Sequence, residues 1–325
     1  MFPVSIDMGS DESIYLLKRD EAETERLNNQ HRFLVKVAGN ILHPSIPTED
    51  ITAVADLGTG TGIWLEDVAN SLPNKSVYLH GFDISSAQYP PGNEIHRPGR
   101  SPIPLSVHDA LYPFPVEHHG RYDLVHIRLL TAGLQYSSYA IVLQNARELL
   151  SKYIHPFIHP TAIAGSPSAD SHTNTNTNTS STIAEPNGYL QWEEVDHTAF
   201  CTDSVPEIPA ITQLRQSVIG AMLKLGLWPF APQRVHHQVS AGGFRDIRRV
   251  TYTTVGNEGM RGVSQKWVAG VIRALVPASM VVTGEATDEG QAREVVERLV
   301  EEFDDHCVGA RVLVNFGVIV GRRCD

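Results

Sequence analysis

The chain runs to 325 residues, 42% of them apolar, which is enough for one elaborated domain around a large core. Its 26 Lys and Arg stand against 37 Asp and Glu, a net charge of −11, which excludes a general electrostatic grip on nucleic acid or anionic lipid and favours a small, neutral or cationic partner. The N-terminus lacks the basic-then-apolar order of a secretory signal, no stretch approaches eighteen unbroken apolar residues, and Cys201, Cys307 and Cys324 are too scattered for a disulfide framework or a zinc cluster, so a cytoplasmic chain without membrane association is expected.

Residues 1–48 read as an N-terminal helical segment, with Leu27, Leu34, Val37 and Ile41 on one face of a helix over 21–42 that Pro44 and Pro47 terminate. The main domain is expected over 49–325. It opens with a strand over 51–57, a glycine cluster at 58–62 and a helix over 63–72. Strands over 77–84, 103–107 and 122–127 follow, then a helix over 139–150. Residues 154–186 are rich in Ser, Thr, Asn and Pro without an apolar period, and are expected to form a disordered insertion at the sheet edge opposite any ligand crevice. A strand over 188–195 comes next, and a helix carries Ile211, Leu214, Val218, Met222 and Leu225 on one side. After a strand near 244–255, two helices (about 264–276 and 288–305) precede a last strand over 311–320. These two helices lie in a connection, 256–308, that leaves the carboxyl end of a parallel strand, so they are expected to form a helical cap over the ligand side. Strands alternating with helices give an α/β, doubly wound, mostly parallel sheet.

The segment Asp56-Leu57-Gly58-Thr59-Gly60-Thr61-Gly62 joins a strand to a helix, where glycines let the backbone turn sharply and approach a ligand, and the helix start adds free N–H donors. The dinucleotide pattern G-x-G-x-x-G/A fails in both registers, ending on Ile63 or Leu65. Asp56 would repel a pyrophosphate and favour a cationic ligand, so a nucleoside without phosphates fits better than NAD(P), and a nicotinamide-dependent oxidoreductase fits less well. Asp83, with Ile84 beside it, ends the second strand, where its carboxylate can accept both ribose hydroxyls or cap a helix start at Ser85 and Ser86. Asp109 and Ala110, after the third strand, would lie near a nucleobase.

VADLGTGTGIW, GFDIS, VHDAL, YDLVHIRLL and GYLQWEEVD resemble, in order, the motifs of class I S-adenosylmethionine-dependent methyltransferases. With the N-terminal YLLKRDEAETERLNNQH…LHPSIP and the terminal VLVNFGVIVGRR, the likeness is to the group of fungal secondary metabolism that includes small-molecule O- and N-methyltransferases and LaeA-like regulators. It spans nearly the whole chain apart from the insertion, and Pro186-Asn187-Gly188 departs from the family's usual Pro-Gly-Gly. The resemblance implies a Rossmann-like seven-stranded sheet with an antiparallel last strand. It also implies S-adenosyl-L-methionine as cofactor, held by Asp56, Gly58, Thr59, Gly60, Gly62, Asp83, Ile84, Asp109, Ala110 and Arg128. The implied activity is O- or N-methylation of a small molecule. A LaeA-like regulator without a metabolite substrate, which would admit a nuclear location, is the alternative.

Methyl transfer from a sulfonium is an in-line displacement in which orientation contributes roughly 7–11 kcal/mol, and a base helps only when the nucleophile carries a proton. His126, near the end of the fourth strand, is the candidate base or substrate orienter, set against a hydrogen-bonded core histidine or a cofactor contact. Glu193 is the second candidate. Because adjacent strand residues face opposite ways, at most one of Glu193 and Glu194 should face the pocket. No metal is expected, since His118-His119 and His236-His237 lack ligand spacing and read as surface residues. Trp267 and Phe303 read as core.

Overall fold

The first strand, β1 (Ala53–Leu57), is buried at every position, as a central parallel strand covered on both faces requires. In this computed structural model, which describes residues 20–152, 188–204 and 206–324, it is preceded by α1 (Glu21–Ala38). Asp20 starts that helix by accepting the Glu23 N–H at 2.9 Å, and Gly39 ends it in the left-handed region. The expected insertion over 154–186 lies outside the described residues, as do the first nineteen positions of the N-terminal segment.

After β1 come α2 (Ile63–Ser71), β2 (Tyr78–Asp83), a two-residue β3 (Glu94–Ile95), β4 (Ile103–Val107), β5 (Leu124–Arg128) and α3 (Tyr139–Leu149). The second half holds β6 (Tyr189–Val195), β7 (Cys201–Thr202), α4 (Pro209–Lys224), α5 (Ala231–Ala241), β8 (Phe244–Thr253), α6 (Arg261–Thr283), α7 (Glu289–Cys307), β9 (Val312–Leu313) and β10 (Asn315–Arg323). The main sheet has eight strands in the order β3-β4-β2-β1-β5-β6-β10-β8. The eighth, beyond the seven expected, is the short β3, antiparallel to β4. The antiparallel last strand β10 is not at an edge but sits between β6 and β8, antiparallel to both. The fold is Rossmann-like.

Strand alternation sorts the core into two layers. Val54 and Leu124 face α1, α2, α4, α6 and α7, where Leu34, Trp64, Ile211, Val268 and Phe303 pack. Ala55, Leu57 and Trp192 face α3 and α5. Helices α6 and α7 of the 256–308 connection pack on each other and on α4, which lies outside it, and the three together are termed the cap. By length and composition alone α6 would cross a bilayer, yet its Val268, Ile272, Val276 and Met280 are buried in this layer.

Candidate functional site

A cavity of about 430 Å³ opens over the carboxyl ends of β1, β2, β5 and β6. This is the edge at which open parallel sheets place ligands. The loop after β1 forms its floor: Gly58 and Gly60 lie at φ +71° and +54°, conformations that L side chains rarely adopt. A Cβ on Gly58 would stand 2.6 Å from Leu130 Cδ2, so the loop also needs the missing side chain for space. Asp83 reaches this loop from the end of β2. Its Oδ2 accepts the Gly60 N–H at 2.9 Å and its Oδ1 the Ser85 N–H at 3.2 Å.

Helix α1 closes the cavity from above, contributing Glu23, Arg26, Leu27 and Gln30. It is fastened to the loop by Thr61 Oγ1, which donates to Asn28 Oδ1 at 2.7 Å, and to α2 by His31, whose Nε2 is 2.8 Å from Asp67 Oδ2. Arg128, at the end of β5, lines the cavity and meets His31 Nδ1 at 3.0 Å. The next residue, Leu129, is left-handed at φ +55°, a strained conformation. Two bonds fix it: its N–H reaches Glu193 O at 2.9 Å, and the Leu130 N–H reaches Glu194 Oε1 at 3.1 Å.

Behind the floor lies a buried polar column. Asp56, His126 and Glu193 come from neighbouring strands on the same sheet face. His126 Nδ1 is 2.7 Å from Asp56 Oδ1, its Nε2 is 3.6 Å from Glu193 Oε1, and its ring stacks on Trp64 at 3.6 Å. Burial opposes a charge on His126, but the two flanking carboxylates outweigh it and raise its pKa. Glu193 is held below the usual carboxylate range: burial pushes it up, and His126, Arg128 and Gln191 more than offset that.

No protein-family model matches the chain. Among characterised proteins it is 31% identical over 192 residues to the methyltransferase grgD of a Penicillium species, covering 57% of this chain and 53% of that one. It is 32% identical over 125 residues to the N-methyltransferase verN of Clonostachys rogersoniana, covering 38% and 42%. To the secondary metabolism regulator laeA of Aspergillus fumigatus it is 36% identical over 84 residues, covering 25% and 21%. The chain thus spans about half, or less, of the length of these relatives. The chain resembles the class I methyltransferases of fungal secondary metabolism.

Most of the expected cofactor residues line the one cavity: Gly58, Thr59, Gly60, Asp83, Ile84, Asp109, Ala110 and Arg128. Gly62 instead caps the start of α2. Asp56 does not line the cavity. It is 3% exposed and spends its carboxylate on His126 and on the Thr59 hydroxyl at 2.8 Å, anchoring the loop from below. His126 is likewise corrected as candidate base: at 1% exposure, between two carboxylates and under Trp64, it is closed off from the cavity. Glu193 belongs to the same column, and Glu194 points to the opposite face, so neither lines the cavity. His118, expected at the surface, is buried and bonds the Tyr122 hydroxyl at 2.7 Å.

Sequence reasoning missed His197, in the turn after β6, which lines the cavity. Its only signal was its place just beyond the end of a parallel strand. Trp267, read as core, stacks on Phe33 at 4.4 Å and also forms cavity wall. Among the described residues, no group of three or more His, Cys, Asp or Glu side chains is placed to hold a metal.

Proposed function

We propose that this chain transfers a methyl group from S-adenosyl-L-methionine to an oxygen or nitrogen of a small molecule, in the cytoplasm, as part of secondary metabolism. The observation that carries the reading is the left-handed glycine loop at the end of β1, locked to the Asp83 carboxylate above the end of β2. The residues fit the cofactor. Gly58 and Gly60 allow the left-handed turn that brings the loop backbone to the cavity. Asp83 is oriented by Gly60, and a carboxylate accepts further bonds, here from a ribose diol. Ile84 offers an apolar flank to a base beside Asp109 and Ala110. Arg128, which lines the cavity, would offer its guanidinium to the cofactor's carboxylate, and the N-terminus of α2 would add its dipole.

The cofactor supplies an electrophilic methyl on a sulfonium. The chain's own part is positioning and exclusion of water. The glycine loop and α1 hold one partner, the apolar wall of α4 and α6 holds the other, and the shared cavity aligns them. The similarity to verN supports nitrogen as acceptor, and the shorter similarity to laeA supports a second, regulatory reading without a metabolite substrate.

Calorimetry with S-adenosylhomocysteine and NADH tests the cofactor. Saturable binding of the first and none of the second is expected, and the reverse would overturn the reading.

A further inference from the structure

Helix α1 turns two residues of one face toward groups that line the cavity. Leu27 Cδ1 stands 3.4 Å from where a Cβ on Gly60 would lie, and His31, four residues on and therefore on the same face, is buried against Arg128 at the end of β5. Arg128 Nη2 lies 3.0 Å from His31 Nδ1, and His31 Nε2 lies 2.8 Å from Asp67 Oδ2 on α2. A guanidinium has no acceptor, so Nδ1 must accept. The ring's proton therefore sits on Nε2 and is donated to Asp67. Burial and the charge of Arg128 hold the imidazole below its ordinary pKa against the opposing pull of Asp67, which keeps the ring neutral at neutral pH.

That bond differs in kind from the other arginine contacts of the cavity. Arg26 is forked onto the Glu23 carboxylate at 2.6 and 2.7 Å, and Arg215 is held by both oxygens of Glu207, each at 2.7 Å. Each of these cations is answered by a carboxylate. Arg128 approaches Glu193 only to 4.0 Å, beyond hydrogen-bond reach, and among the described residues its one hydrogen bond is to the imidazole. A neutral acceptor fixes the direction of a guanidinium and leaves its charge and its remaining N–H groups for a ligand.

Resting on the methyltransferase reading, we propose that His31 is a positioning residue: from the roof of the cavity it aims the charged Arg128 guanidinium at the carboxylate of the cofactor's amino-acid end. The roof and that carboxylate are then linked through one side chain, and a ligand without the carboxylate gains nothing from it.

Calorimetry on the full chain tests this with S-adenosylhomocysteine and its decarboxylated analogue, which keeps the adenosine, the thioether and the amine. Wild-type protein should bind the first at least about tenfold more tightly. His31→Ala, and His31→Leu, which fills the space but accepts nothing, should weaken S-adenosylhomocysteine about fivefold or more and leave the analogue within about twofold. His31→Asn, whose Oδ1 stands near the place of Nδ1, should recover part of the loss. In an Arg128→Ala background, His31→Ala should change S-adenosylhomocysteine affinity by less than about twofold, because its effect passes through the missing guanidinium. A role confined to packing α1 on α2 would instead weaken both ligands alike and add to the Arg128→Ala loss. Either of those results, no loss in the Ala and Leu variants, or wild-type protein that binds both ligands equally would overturn the proposal. If S-adenosylhomocysteine fails to bind wild-type protein, the methyltransferase reading falls, whereas its binding alongside any of these adverse results removes the His31 assignment alone.

Discussion

At the scale of single residues, the site is a contrast between carboxylates that face the cavity and carboxylates that stand behind it. Asp83 faces it, and Asp83→Ala is expected to weaken S-adenosylhomocysteine at least tenfold, about 1.4 kcal/mol, as when a bond to a charged group is lost. Calorimetry on a variant with unchanged circular dichroism checks this. Unaltered affinity would mean that the carboxylate serves the glycine loop alone. Glu194 stands behind, fully buried, with Oε1 accepting from Trp192 Nε1 at 2.9 Å and from the Leu130 N–H, and burial pushes its carboxyl up to about 8. Between the ordinary glutamate range and pH 8, then, the folded protein keeps a proton that the unfolded chain has released, so stability falls as pH rises through that window. Glu194→Gln should raise the melting temperature at pH 8 relative to wild type, with the gain shrinking toward pH 5, whereas an equal offset at both pH values would show an ionised carboxylate. Residue positions were legible where a turn fixes them. Asp83, Gly58 and Gly60 stand at a strand end or in a tight loop, and their place follows from the local pattern. Asp56, His126 and Glu193 lie on strands, where alternation says that they share a face but not whether that face meets a ligand or a helix. Trp64, which covers His126, comes from an element that only packing brings there.

At the scale of elements, the loop after β1 and helix α1 form one device. Leu27 Cδ1 stands 3.4 Å from where a Cβ on Gly60 would lie, and Gly60 itself is left-handed. Gly60→Val therefore combines a strained backbone with crowding against α1, and it should abolish S-adenosylhomocysteine binding while the far-ultraviolet spectrum stays that of the wild type. Binding at wild-type strength would show that the loop does not wrap the cofactor. The long elements were readable from periodicity, and strand β4 falls on its expected bounds, 103–107. Helix α5 was not, because Ala231–Ala241 carries few large apolar residues and Pro232, a first-turn residue in the structure, looks like a breaker in the sequence. Helix α6 was expected to end near 276, yet it runs on to Thr283 with Pro277 inside, held by packing on α4 and α7. Strands β3, β7 and β9 have two residues each, too few for a period.

At the scale of the whole molecule, the cavity edge and the opposite edge of the sheet do separate work. The Gly188 N–H donates to Ser151 O at 3.1 Å, so the two ends of the polar tract that contains 154–186 already meet at the edge away from the cavity. Replacing that tract by a short Gly-containing turn should leave the melting temperature and S-adenosylhomocysteine affinity unchanged, since a shorter closure costs no more entropy. A loss of either on scanning calorimetry and titration would show that the tract contributes to the core or the cleft. The position of β10 bears on how the molecule is assembled in time. Strands β1, β2, β4 and β5 pair with one another within residues 53–128, but β8 has no partner until β10 arrives between it and β6, after the whole cap has been made. Contacts that close over such long stretches of chain form slowly. During refolding, the half that carries the glycine loop can therefore mature first, while the apolar undersides of α4 and α6 wait exposed. A chaperone would recognise that species, and crowding two such intermediates together would favour exchange of β10 between copies.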